Sequence, residues 1–197
     1  MTDCLIVGVG GQGTVLTSRL IGIAALKRGF DVRGSETIGM AQRGGSVASH
    51  VRIGRDISSP LIPRLGADVI LAFELCEAAR AVPYLKPDGL MIACDVIVRP
   101  AGSSEMFGID AVSRYLRSSL AHIRLLDGEK IRERCGARGM NVAILGAALS
   151  SGSLPLSMED IEEALDDRFD VARAEANKAA LRFGARMIAD AGLKSED

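Results

Sequence analysis

The sequence predicts an α/β fold, a Rossmann-like three-layer sandwich whose mostly parallel sheet is flanked by helices and followed by a helical C-terminal part. Three observations carry this. A glycine loop, Gly8-Val9-Gly10-Gly11-Gln12-Gly13, lies between the apolar run Cys4–Val7 and an amphipathic segment from about Val15 to Lys27, which is the strand, loop, helix order of a phosphate-binding βα unit. Further short apolar runs at 67–72, 90–94 and 123–126 are separated by helix-patterned stretches, the rhythm of strands joined by crossover helices. The composition is 48% hydrophobic but only 4% aromatic, without tryptophan, so the core is built from Ala, Val, Ile and Leu, as suits buried parallel strands under helices. At 197 residues the expectation is one domain covering 1–197.

The elements follow in order. In the opening loop Gly8 permits a tight turn, Gly10 and Gly11 let the backbone approach a phosphate, and Gly13 lets the helix start pack closely. The helix N-terminus adds unpaired N–H groups and partial positive charge. Leu16, Leu20, Ile23 and Ala24 recur at helical spacing and Gly29 ends the helix. Phe30–Gly34 reads as a second strand, followed by a polar loop with a second glycine cluster, Arg43-Gly44-Gly45. A guanidinium beside a pliable backbone suits phosphate or carboxylate, and a loop after the second strand can lie beside the first loop. Glu36, placed in that loop, is a poor match for the acid that ends the second strand of a dinucleotide site.

Ser46–Ile53 alternates cleanly, with Val47, Ser49, Val51 and Ile53 on one face and Ala48, His50 and Arg52 on the other, the pattern of a half-exposed strand rather than a central one. Pro60 and Pro63 bracket a connection to the strand at 67–72, and a helix follows from Phe73 to about Val82. Glu74 fits two roles equally, ligand contact at a strand's carboxyl end or a first-turn acid favoured by the dipole. A strand at Leu90–Cys94 is followed by a polar excursion between Arg99 and Gly108, a helix from Asp110 to about Leu120 and a final strand Ile123–Leu126. The rest reads as helical: a buried helix from Asn141 to Leu149, one N-capped by Ser157 with Asp160 closing a capping box, and a long helix from about Val171 to Ala191. Its Ala172, Ala176, Ala179, Ala180, Phe183 and Met187 form a stripe for close packing.

Composition narrows the function. A net charge of -1 and few aromatic side chains argue against nucleic acid. Cys4, Cys76, Cys94 and Cys135 are far apart, without the C-x-x-C spacing of zinc or iron–sulfur sites, and Cys135 stands out as the most exposed candidate. His50 and His122 lack ligand-spaced partners. The run Met140–Leu149 is too short for the roughly 20 residues of a membrane span. The first strand runs into the glycine loop rather than a cleavage site, so the expectation is a cytoplasmic chain with no membrane association. From these residues alone, a stand-alone NAD(P)-dependent oxidoreductase and a non-catalytic Rossmann-like binding module both stay open.

Three stretches taken together carry a resemblance: the loop Gly8–Gly13, the segment Glu36–Gly45 leading into His50–Ile53, and Asn141–Leu149 with Asn177–Ala180 and Gly184. They resemble the gamma-type domain of 2-oxoacid:ferredoxin oxidoreductases, nearest to the small beta subunits of the indolepyruvate enzymes, over nearly the whole chain. The resemblance implies a heteromeric enzyme that oxidatively decarboxylates indolepyruvate or other aryl pyruvates to aryl-acetyl-coenzyme A and passes electrons to ferredoxin. It implies that thiamine diphosphate, magnesium and the iron–sulfur clusters belong to a larger alpha subunit. For this chain it implies a completing role in which related subunits help to receive coenzyme A. The candidate cofactor-binding residues are Gly8, Gly10, Gly11, Gln12, Gly13, Arg43, Gly44 and Gly45, and contact with coenzyme A phosphates, with thiamine diphosphate across the subunit boundary or with the partner subunit alone stays open. Whether an isolated chain pairs with a second copy is left open. The sequence agrees with that division: it has no Gly-Asp-Gly thiamine signature and no cysteine cluster.

Overall fold

The computed structural model describes residues 1–38, 45–99 and 107–192. Its centre is a six-stranded sheet of order β2-β3-β1-β4-β5-β6, formed by β1 (Thr2–Val9), β2 (Asp31–Ile38), β3 (Ser46–Gly54), β4 (Ala67–Ala72), β5 (Leu85–Cys94) and β6 (Ile123–Leu126). The β1–β4, β4–β5 and β5–β6 pairs are parallel, whereas β3 runs antiparallel to both β1 and β2. The expected mostly parallel three-layer sandwich is present. On one face α2 (Leu75–Ala81) and α3 (Ile109–Ser119) bury Leu75, Ala78, Val112 and Leu116 against Leu5, Ile70 and Met91. On the other, α1 (Thr14–Lys27), α4 (Gly128–Cys135), α5 (Met140–Ser150), α6 (Met158–Arg168) and α7 (Val171–Gly192) cover Cys4, Ile6, Val69, Leu71 and Ile92.

Three sequence expectations need correction. The second strand does not stop at Gly34 but runs to Ile38, so Glu36 is a strand residue opposite Ser49 of β3. Strand β3 is not peripheral: it lies between β2 and β1, and His50 is only 9% exposed. Its alternation is as read, but His50 and Arg52, on the second face, are held inward by partners. His50 Nδ1 accepts from Ile62 N at 3.1 Å. Arg52 grips Asp3 through Nε–Oδ1 at 2.8 Å and Nη2–Oδ2 at 3.1 Å, and donates to Ser59 O at 3.0 Å. The third concerns α7, where Ala172, Ala176 and Ala179 are exposed and the buried residues are Ala174, Ala180, Leu181 and Gly184. Alanines on several faces of one helix do not fix its rotation; the glycine does. A Cβ on Gly184 would lie 1.7 Å from Ala143 O, and one on Gly146 of α5 would lie 1.9 Å from Leu181 O, so α5 and α7 cross backbone on backbone.

Helix ends follow the sequence closely. Ser157 and Asp160 form the expected capping box on α6. Asp127 caps α4, accepting from Lys130 N at 3.0 Å. Between α6 and α7, Arg182 grips Glu162 through two 2.8 Å bonds, an exposed pair contributing a few tenths of a kcal/mol, up to about 1. Among the described residues, no helix is long and apolar enough to cross a membrane.

The environment of His50 has a consequence for stability. Burial pushes its imidazole below the ordinary 6.5, and Nδ1 must stay unprotonated to accept from Ile62 N. Because the folded value lies below the unfolded one, the contribution is present above pH 6.5 and is lost as pH falls through the lowered folded value. Urea titrations below that range are expected to show wild type losing more stability than His50→Gln, relative to neutral pH. Parallel losses in the two proteins would exclude His50 as the source.

Candidate functional site

The carboxyl end of the parallel strands gathers the segments singled out from sequence. Strand β1 enters the glycine loop, and the first residue of β3, Ser46, pairs with Val9. Gly10 N donates to Gly45 O at 2.9 Å, which brings Gly45, the last residue of the second glycine cluster, against the first loop. Arg43 and Gly44 lie outside the described residues.

The loop glycines divide by task. Gly8 is the penultimate residue of β1, where a Cβ would lie 2.8 Å from Gln12 Oε1 and 3.2 Å from Phe73 Cβ, so it makes room rather than turns the chain. Gln12 occupies that room. Its Oε1 accepts from Val9 N at 2.8 Å and its Nε2 donates to Phe73 O at 3.1 Å, tying the ends of β1 and β4 together. The amide is spent inside the fold and shapes the loop. Gly11 and Gly13 have φ of 97° and 87°, the left-handed region that favours glycine. Gly11 has nothing within 4 Å of where a Cβ would stand, so its backbone faces open space. At Gly13 a Cβ would stand 2.5 Å from Asn141 Nδ2; the glycine is there to admit α5, not the strand.

Helix α1 therefore starts on a glycine. Among the described residues no side chain caps it, and its first turn carries no acid. Its first amides have no intrahelical acceptor, and the dipole favours negative charge there. The donor set of exposed Gly11 and the α1 N-terminus fits a phosphate. Asn141 was not expected to matter here. It is 3% exposed and donates through Nδ2 to Gly13 O at 3.4 Å; the available sequence signal was its place as one of only two asparagines, at the start of an otherwise apolar helix.

The two roles left open for Glu74 resolve. It is 1% exposed, caps α2 by accepting from Glu77 N at 2.8 Å, and reaches Val98 N at 3.3 Å through its other oxygen. Both oxygens are committed to the fold. The dinucleotide reading loses its acid in another way. In such a unit the second strand lies beside the first, but here β3 intervenes, which moves Glu36 about 10 Å from β1 at the usual strand spacing. There it accepts from Ser18 Oγ at 3.2 Å, at the edge of an open groove of about 390 Å³ between α1 and β2.

The thiols do not suit metal ligation. Cys4 and Cys94 are fully buried; burial, followed by Asp3, pushes Cys4 far up, and burial, followed by Asp95, pushes Cys94 up to about 12. Cys76 and Cys135 are half-buried, and burial raises both. Among the described residues no three His, Cys, Asp or Glu side chains group as metal ligands.

Comparison with known proteins places this architecture. The family model described as pyruvate ferredoxin/flavodoxin oxidoreductase matches residues 3–187. The chain is 37% identical over 187 residues to indolepyruvate oxidoreductase subunit IorB of Archaeoglobus fulgidus, covering 92% of each chain. The crystal structure of pyruvate oxidoreductase subunit PORC from Thermotoga maritima superposes with a TM-score of 0.70 at 24% identity, covering 94% of this chain and 96% of that one. A 2-oxoglutarate:ferredoxin oxidoreductase from Magnetococcus marinus, with 2-oxoglutarate, coenzyme A and succinyl-CoA bound, has a TM-score of 0.70 at 20% identity, covering 96% of this chain and 31% of that one. Both structures share the fold. The chain belongs to the pyruvate ferredoxin/flavodoxin oxidoreductase family.

Proposed function

We propose that this chain is the small subunit of a 2-oxoacid:ferredoxin oxidoreductase that converts indolepyruvate or other aryl pyruvates to aryl-acetyl-coenzyme A, and that its paired glycine segments receive the phosphates of coenzyme A. The single observation behind the site is the 2.9 Å bond from Gly10 N to Gly45 O, which supports the reading by bringing the end of the second segment to the glycine loop that opens α1. The substrate class is supported by likeness to the Archaeoglobus subunit. The bound coenzyme A of the Magnetococcus enzyme supports the ligand.

In this reading the substrate carboxylate leaves as carbon dioxide, the acyl group passes to the coenzyme A sulfur with loss of the thiol proton, and the released electron pair goes singly to two ferredoxins. Thiamine diphosphate, when bound with magnesium on the larger alpha subunit, supplies the carbanion chemistry, and iron–sulfur clusters there carry the electrons. The thiols of this chain do not fit a cluster, so no electron step is assigned to it. Its own work is to bind and orient: the α1 N-terminus and Gly11 amides face a phosphate, and Arg43 supplies the counter-charge.

Coenzyme A titrations of the assembled complex test this. Arg43→Ala is expected to weaken binding about tenfold or more, as loss of a charged hydrogen bond does; unchanged affinity removes Arg43 from the site. The same preparations provide a second check, since the chain without its alpha partner is expected to show no turnover of any 2-oxoacid with ferredoxin. Turnover by the lone chain would overturn the division of labour.

A further inference from the structure

The N-cap and first turn of α2 hold two buried carboxylates, Glu74 and Glu77, and neither is free for chemistry. Glu74 caps the helix and holds Val98 N, as described. Glu77 is 4% exposed. Its Oε2 accepts from Ser46 Oγ at 2.6 Å and its Oε1 pairs with Arg80. Ser46 is the residue directly after Gly45, and Gly45 O is the acceptor for Gly10 N. Gln12 Nε2 reaches Phe73 O, one residue before the helix cap. The start of α2 is thereby hydrogen-bonded to the roots of three segments: the glycine loop through Phe73, the second glycine cluster through Glu77, and the residues after β5 through Glu74.

The Ser46–Glu77 bond is unusual among these. A helix residue of this kind faces solvent without loss of fold, yet here a carboxylate is buried on α2 to accept from an exposed serine at the start of β3. The ladder between β1 and β3 already fixes Ser46 opposite Val9, so the extra bond is not needed to set register. What it fixes is the point where the chain leaves the Arg43-Gly44-Gly45 segment. A charged acceptor makes this a strong tie, and Arg80 balances the carboxylate from the outer side.

We propose that Glu77 is a positioning residue for the glycine-loop site: through Ser46 it holds Gly45 against Gly10, and so sets the affinity for the anionic ligand without touching it. The ligand half of this rests on the coenzyme A reading above; the Gly10–Gly45 half does not. Ser46→Ala and Glu77→Ala are both expected to speed amide exchange at Gly10 about tenfold, the loss of one hydrogen bond to a charged group. Amides of β4 such as Ile70 and Leu71 should keep their protection, whereas a merely structural defect would expose them together with Gly10. Ser46→Thr, which keeps the hydroxyl, should restore protection. In the assembled complex the same two alanine variants are expected to raise KM for coenzyme A about tenfold while kcat stays within about twofold, and the double variant should be no worse than either single one, because both remove the same bond.

Unchanged exchange at Gly10 overturns the proposal whatever the ligand. Faster exchange with unchanged KM overturns the link to affinity, and Arg43→Ala then tells the two failures apart. If Arg43→Ala raises KM, coenzyme A still binds here and only the positioning role of Glu77 fails. If Arg43→Ala also leaves KM unchanged, the coenzyme A reading itself fails.

Discussion

A methyl group at position 184 is expected to lower the unfolding free energy of this chain by about 3 kcal/mol or more, at the upper end of what overpacking costs. The added Cβ would lie 1.7 Å from Ala143 O, and the neighbouring Cα would be 2.8 Å away. The obstacle is backbone, so no rotamer change relieves it; α5 and α7 must separate along a line that also includes Gly146 against Leu181. Helix α5 is buried on every side from Asn141 to Leu149, and moving it disturbs both its contact with the sheet and the placement of Asn141 beside Gly13. Thermal unfolding of Gly184→Ala should shift down by roughly 10 °C for a chain of this size. Gly22→Ala is the matched control. It lies inside α1, where a Cβ meets only Val32 Cγ1 at 3.9 Å, and it is expected to stabilise by about 0.5–1 kcal/mol through helix propensity. Equal melting of Gly184→Ala and wild type would mean that the two helices do not cross at backbone contact.

Removing the guanidinium at position 52 is expected to cost about 3–5 kcal/mol, the loss typical of breaking one side of a buried ion pair. The side chains of Arg52 and Asp3 are 12% and 4% exposed. Without Arg52, Asp3 retains no cationic neighbour at hydrogen-bond distance among the described residues, while its own backbone N–H remains tied to Asp68 Oδ2 at 2.7 Å. Urea unfolding of Arg52→Leu measures the loss, and the double variant Asp3→Leu with Arg52→Leu should regain most of it, because apolar pairs of similar volume replace buried ion pairs at little cost. A double variant as unstable as the single one would show that Arg52 works through Ser59 O rather than through Asp3.

The two residues illustrate what could be read in advance. The alternation of the sequence puts Arg52 on the face shared with Ala48 and His50, since a strand has period two and the pattern is unbroken. That the face is buried was not legible. It depends on the segment after β3 folding over it, with Ile57 and Ile62 buried there, and nothing local in Ser46–Ile53 records what lies above it. The same holds for α7: its helical period was plain, but its rotation was set by Gly184 meeting a carbonyl of a helix some forty residues earlier in the chain.

At the candidate site the sequence places the second glycine cluster after the second strand and so near the first loop; Gly45 does bond Gly10, but because β3 rather than β2 pairs with β1. The tasks of individual residues could not. Gln12 sits within a ligand-binding pattern yet spends its amide on Val9 and Phe73, and Glu74, Glu77 and Asn141 act through partners 24, 31 and 128 residues away in the chain.

By itself the sequence determined what depends on near neighbours: the α/β class, the strand–glycine–helix start, the capping box at Ser157, and a family resemblance carried by short motifs. Periodicity, turn chemistry and caps are local, and each is written within about a dozen residues. Only the tertiary structure decided that β3 inserts between β1 and β2, that Glu36 is thereby carried away from the glycine loop, and that α2 binds the roots of the loops around it. Those outcomes depend on which surfaces meet across long loops, where burial and hydrogen-bond satisfaction over the whole chain outweigh any local preference.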